Sequence, residues 1–269
     1  MEISTAQIFN LMKRTLKSFS IIINYKTFII TALAVLSTYL CFNMGLTAKF
    51  PDMLVGVAIV FPVVFSIGSA YARRETALQR LSDFRGHAIA LYYGTRDWTS
   101  NKENDMPLRA RQLIKEIMLQ MMEMFKTSRS PVWIENEKSI YNKFSQLSGL
   151  TMEMRNFGVQ SGEVSRVSQY VSKMIIAFDN LKVIHHYRTP ITLRAYSKTF
   201  IYIFPIIYGP YFASTFHDFS ASLEYVMPVL YSFILVSLDN IQDHLENPFD
   251  GVGEDDIIID AEETVQLLN

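Results

Sequence analysis

The stretch FIITALAVLSTYLCFNM, Phe28 to Met44, carries no charged side chain. Lys26 lies before it and Lys49 after it, which leaves 22 uncharged residues between them. About 17–25 helical residues cross the hydrocarbon core of a bilayer, so this window fits one crossing. Three further windows follow. Met53 to Tyr71 (MLVGVAIVFPVVFSIGSAY) is bounded by Asp52 and Arg73. Thr199 to His217 is the third, and Tyr225 to Leu238, between Glu224 and Asp239, is the fourth and shortest. A soluble chain of 269 residues has little room to enclose four helices that are apolar on every side. The windows predict an all-α, polytopic membrane protein with four transmembrane helices and a helical cytosolic domain.

The flanking charges orient these windows. Lys13, Arg14, Lys17 and Lys26 precede the first, whereas the turn from Gly45 to Asp52 carries one base and Phe216 to Glu224 carries none. The positive-inside rule then puts the N-terminus, the middle segment and the C-terminus on the cytosolic side of a membrane whose identity stays open. The first window starts too late and runs too long for a secretory signal. The expected organisation is residues 1–71 with transmembrane helices 1 and 2, residues 72–195 as a helical cytosolic domain, residues 196–238 with helices 3 and 4, and residues 239–269 as an acidic cytosolic tail. In the middle domain Ala77, Leu81, Phe84, Ala88 and Leu91 recur at helical spacing, and so do Leu113, Ile117, Met121 and Met124. Ile134 to Phe157 and Val164 to His186 read as two more helices, and Gly94 to Pro107 reads as a linker.

Composition narrows the class. Hydrophobic residues are 49%, which excludes a disordered chain, and charged residues only 19%. The mean hydropathy of +0.15 averages apolar windows with a polar insert. One cysteine, Cys41, excludes a disulfide scaffold and a cysteine zinc site. The net charge of −1 argues against nucleic acid as a partner, yet it hides a split. Residues 1–198 hold all 25 bases and are +11; residues 199–269 hold 12 acids and no base. Docking of the acidic tail on the basic middle domain is expected from charge alone.

Catalytic signatures are missing. The sequence has no GxxxxGK, GxGxxG, HExxH or GxSxG, so no enzyme is expected. The one candidate ion site is Glu246 to Asp260 (ENPFDGVGEDDIIID). There Asp250, Glu254, Asp255 and Asp256 offer carboxylates for calcium, and Gly251 and Gly253 permit tight turns. The run does not follow the EF-hand pattern, and no other cofactor is called for.

Three segments in order resemble the bestrophin family of ion channels. Val57 to Gly86 (VAIVFPVVFSIGSAYARRETALQRLSDFRG) is similar to the family's second-helix stretch. Thr189 to Tyr196 (TPITLRAY) resembles the stretch that opens its third membrane segment. Glu246-Asn247-Pro248-Phe249 with the Gly/acid run resembles the sequence after its last membrane helix. The resemblance implies a homo-pentamer in a lipid bilayer, passing chloride or other small anions through a central pore. It places a hydrophobic neck on Val57, Phe61 and Phe65 and a cytosolic aperture on Ile191. Spacing of i, i+4, i+8 puts the first three on one helix face. The chain departs from the family pattern at Arg73, Arg74 and Glu75 after Tyr71, and at the GVG before Glu254, where animal members clasp calcium. The alternatives are a transporter or exporter of small organic anions and a non-conducting membrane scaffold.

Overall fold

The computed structural model describes Lys13 and residues 22–49, 52–100, 104–127, 130–188, 190–215, 223–251 and 255–268. Side chains are described within the second helix from Val60 and within the eighth from Tyr225. Every regular element among these residues is helical: α1 Tyr25–Asn43, α2 Asp52–Asp97, α3 Met106–Lys126, α4 Pro131–Glu153, α5 Ser161–His186, α6 Ile191–Ile207, α7 Gly209–Thr215, α8 Leu223–Glu246 and α9 Ala261–Gln266, with a 3₁₀ turn at Met154–Phe157. The chain forms two compact units. The first holds residues 1–72 and 189–246, and the second holds residues 73–188 and 247–269.

In the first unit α1 packs on α6, α7 and α8. Asn24 opens α1 with a capping box: its side chain accepts from the backbone of Lys26 and Thr27, and Thr27 Oγ1 accepts from the Asn24 N–H. The helix then turns its small and polar residues inward. Thr27, Ala34 and Thr38 are buried, whereas Phe28, Ile29, Leu33, Leu36, Tyr39 and Leu40 face outward. Small inner residues let backbones approach closely. Ser37 Oγ donates to the Ile206 carbonyl at 2.7 Å, and a Cβ at Gly209 would stand 2.3 Å from Ser37 Oγ. The enclosed apolar core is correspondingly small, built on Val63, Ile201, Leu235 and Val236.

By length and composition, one helix among the described residues, α1, is long and apolar enough to cross a membrane. The third apolar window is split into α6 and α7 at Tyr208, flanked by Pro205 and Pro210. The fourth lies on a helix that runs on through Asp239, Asp243 and Glu246.

The second unit has ordinary polarity. Its core joins Phe84 and Leu91 of α2, Ile117, Met121 and Phe125 of α3, Phe144 of α4 and Phe178 of α5. The methionines at helical spacing are core packing, as their flexibility suits. Ser130 caps α4 by accepting from the Trp133 N–H at 3.2 Å. The linker expected from Gly94 begins later, because α2 runs to Asp97. Gly94 lies within it where a Cβ would stand 2.8 Å from Val167 Cγ2, so the glycine serves a close approach to α5 and ends no helix.

The Phe178 ring is fully buried, with Tyr141, Phe144 and Phe125 at centroid distances of 5.6, 6.0 and 6.3 Å. Phe178→Ala is expected to destabilise this unit by about 3–5 kcal/mol. Ile176→Ala, at an exposed site on the same helix, should stay within about 0.5 kcal/mol of wild type. Denaturant unfolding followed by tryptophan fluorescence checks both, since the two tryptophans, Trp98 and Trp133, lie in this unit.

Candidate functional site

The residues singled out in the sequence fall in both units, Phe61, Phe65 and Ile191 in the first and the acidic loop in the second. Phe61 and Phe65 sit on α2 in the first unit, 56% and 62% exposed, with ring centroids 5.9 Å apart. Val60 and Val64 extend the same outward face, while Val63, Ser66 and Ala70 turn inward. The two rings lie one turn apart along the helix, tilted by 37°, and more than half of each is exposed. The Val57 side chain lies outside the described residues. Ile191 is the first residue of α6 and is 75% exposed.

The acidic loop belongs to the second unit. The side-chain amide of Asn247 donates to Asp250 Oδ2 at 3.1 Å, and the Gly251 N–H donates to Asp256 Oδ2. The loop closes where the Ile257 N–H donates to the Pro248 carbonyl at 2.7 Å. Arg74 Nε donates to the Asp255 carbonyl at 2.6 Å. Glu254 lies outside the described residues. Among those described, no three His, Cys, Asp or Glu side chains stand together as a metal cage. Asp250 and Asp256 instead tie the loop to itself.

The tail does dock on the basic middle segment, as its charge suggested. Arg85 pairs with Glu263 at 3.0 Å and Lys115 with Glu262 at 2.7 Å. Both pairs are solvent-exposed and contribute little. The larger stabilisation is apolar: Phe249, Ile257, Ile259, Ala261 and Leu268 are buried in the core of the unit. Phe249 stacks on Phe125 at 5.0 Å, and both rings border the partly buried His185.

One cluster escaped the sequence reading. Arg194, Lys198 and Tyr202 of α6 meet Glu246, Asp243 and Asp239 of α8, each step up one helix matching a step down the other. Its signal was present in the helical spacing of Arg194 and Lys198 before the third window, Tyr202 within it, and Asp239, Asp243 and Glu246 after the fourth, and pairing across an antiparallel helix couple would have found it.

With this geometry in hand, comparison with known proteins is informative at the level of fold. No family model and no curated protein sequence matches the chain. Solved structures do. Two crystal structures of a bacterial bestrophin homologue from Klebsiella pneumoniae, each carrying one substitution, match with a TM-score of 0.76 at 15% identity and cover 90% of this chain. They are covered over 97% and 95% of their own length. A third structure of the homologue, phased by Zn-SAD, gives a TM-score of 0.71 at 13% identity, over 91% of this chain and 96% of its own. The chain has the bestrophin fold, as its sequence segments suggested.

Burial pushes the His185 imidazole below its ordinary 6.5, with Arg188, His186 and Arg73 adding in the same direction and a backbone hydrogen bond to Phe125 opposing. Below that pH the unfolded chain binds more protons than the folded one. This stabilisation is therefore complete above about 6.5 and is lost as pH falls toward the depressed folded value. His185→Phe keeps the aromatic packing and removes the proton. The drop in unfolding midpoint between about pH 7.5 and about pH 5.5 is expected to shrink in the variant, read by tryptophan fluorescence.

Proposed function

We propose that this chain is an integral membrane protein that assembles, as a homo-pentamer, into a passive channel for chloride or other small anions. The observation that carries the reading is the exposed Phe61–Phe65 pair on α2, set in a chain with the bestrophin fold. A helix face left more than half exposed at both rings is free to line an axis shared by several copies. Rings of apolar side chains gate by dewetting, and aromatic edges carry partial positive charge toward a passing anion. Val57 would add a third ring one turn earlier on the same face.

The outward apolar residues of α1, among them Phe28 at 70% exposure, support the bilayer part of the reading. A contiguous surface of this kind marks contact with lipid or protein. Four membrane passages, counting the broken α6–α7 as one, keep both termini on the cytosolic side. Ions leaving the neck would pass Ile191 as a second constriction. The reading assigns no reaction to the chain.

Reconstitution in planar bilayers under a chloride gradient tests it. A current whose reversal potential moves toward the chloride equilibrium value is expected; one that follows the cation value overturns anion selectivity. Purified oligomer that passes no current overturns the channel and leaves a scaffold. Phe61→Ala and Phe65→Ala should each raise conductance or relax selectivity. Unaltered currents in both variants would remove the neck from this face.

A further inference from the structure

The charged side chains shared by α6 and α8 do something that the apolar windows and the pore face leave unexplained. Ile191 opens α6. One turn on, Arg194 Nη1 lies 2.8 Å from Glu246 Oε2, on a carboxylate only 2% exposed. A turn later, Lys198 Nζ stands 2.8 and 2.9 Å from the two oxygens of Asp243, and 3.8 Å from Oδ1 of the buried Asp239. A third turn brings the Tyr202 hydroxyl, which donates to Asp239 Oδ2. The α8 side is braced in turn: Gln242 Nε2 donates to Glu246 Oε1 at 3.3 Å, and Lys26 of α1 pairs with Asp243 at 3.5 Å. The Asn24 side chain donates to Asn240 Oδ1 at 2.8 Å, and Asn240 Nδ2 donates to the Ile22 carbonyl at 2.6 Å.

An apolar seam between two helices tolerates small slips, because one methyl packs almost as well as the next. A buried ion pair does not. Shifting it leaves a charge in an apolar site with no counter-charge, and that penalty exceeds what the pair contributes when intact. Buried polar contacts of this kind set register in helix pairs. The turns of α6 from Arg194 to Tyr202 are held in this way, and Ile191 lies three residues before Arg194.

We propose that the Arg194–Glu246 and Lys198–Asp243–Asp239 ladder is a register lock that positions Ile191, and so sets the width of the constriction at the start of α6. The lock rests on the channel reading for its functional meaning and on the ladder alone for its structural one. Arg194, Lys198 and Glu246 are positioning residues: they act through where they hold Ile191.

Two readouts test it in the reconstituted full chain. The first is the rate at which a charged maleimide labels a thiol at position 191, in Cys41→Ser, Ile191→Cys protein. The single native cysteine makes this background simple. Arg194→Glu is expected to change the rate several-fold, and Arg194→Glu with Glu246→Arg to restore it. If the single reversal does not yield assembled protein, the neutral isostere Glu246→Gln is read in the same assay. The second readout is current: Glu246→Gln should alter conductance in wild type and add nothing in an Ile191→Ala background. Unchanged labelling in both ladder variants, a change that the double reversal fails to restore, or a conductance effect that persists without Ile191 overturns the lock. Normal current with unchanged labelling rejects the lock and keeps the channel. Shifted and restored labelling without any current keeps the lock and rejects the channel.

Discussion

The outward-facing apolar surface of the first unit is the constraint on which the rest turns. Water-soluble units gain stability by taking apolar area away from solvent. Here α1 turns Thr27, Ala34 and Thr38 inward and leaves Phe28, Leu33, Leu36 and Leu40 bare. What remains inside is too small to bind the helices by hydrophobic burial alone. The helices are joined instead by features that keep their strength when the surroundings are apolar: close backbone contact at Ser37 and Gly209 and ion pairs between α6 and α8, while the buried hydroxyls of Thr38 and Ser232 are satisfied by their own helices. The second unit puts large aromatic and methionine side chains inside and most of its bases outside. The two units thus have opposite polarity within one chain.

That contrast changes how the charge asymmetry reads. A +11 body and a −12 segment over residues 199–269 suggest one long-range attraction. The pairs are local and of two kinds. Asp239, Asp243 and Glu246 are neutralised within the first unit by Lys198, Lys26 and Arg194. Glu262 and Glu263 meet Lys115 and Arg85 at the surface of the second unit. Burial shields Asp239 and Glu246 from salt, whereas Asp243 is half-buried and Glu262 and Glu263 stand exposed. The tail stays docked mainly because Phe249, Ile257 and Leu268 are buried, so its acidity describes its solvent face more than its attachment.

Much of the fold was legible from spacing. The stripes on Ala77–Leu91 and Leu113–Met124 became α2 and α3 because a 3.6-residue period survives any choice of partner. The segments similar to bestrophins pointed to a fold that the solved structures share at 15% identity. What spacing left hidden depends on who the neighbour is. Gly94 reads as a break when taken alone and as a helix contact once Val167 is beside it. The break at Tyr208 inside the third window leaves the absence of charge intact, and its signal is the Gly209-Pro210 dipeptide, which marks turns. At the candidate site, a spacing of four puts Phe61 and Phe65 on one helix face, whereas how exposed that face is depends on packing. The ladder was missed because its members lie far apart in sequence and each looks like an ordinary flank of an apolar run.

The contact between Ser37 and Gly209 carries a consequence for how this chain can change. A side chain one carbon larger at position 209 would run into both the hydroxyl and the carbonyl carbon of Ser37. The two positions are therefore linked in time as well as in space. Residue 37 must first give up its hydroxyl, and its backbone must move away, before residue 209 has room to grow. Taken in the other order, the same two substitutions pass through an intermediate in which α1 and α7 are forced apart. Of the two mutational routes between the same end points, the packing leaves one open.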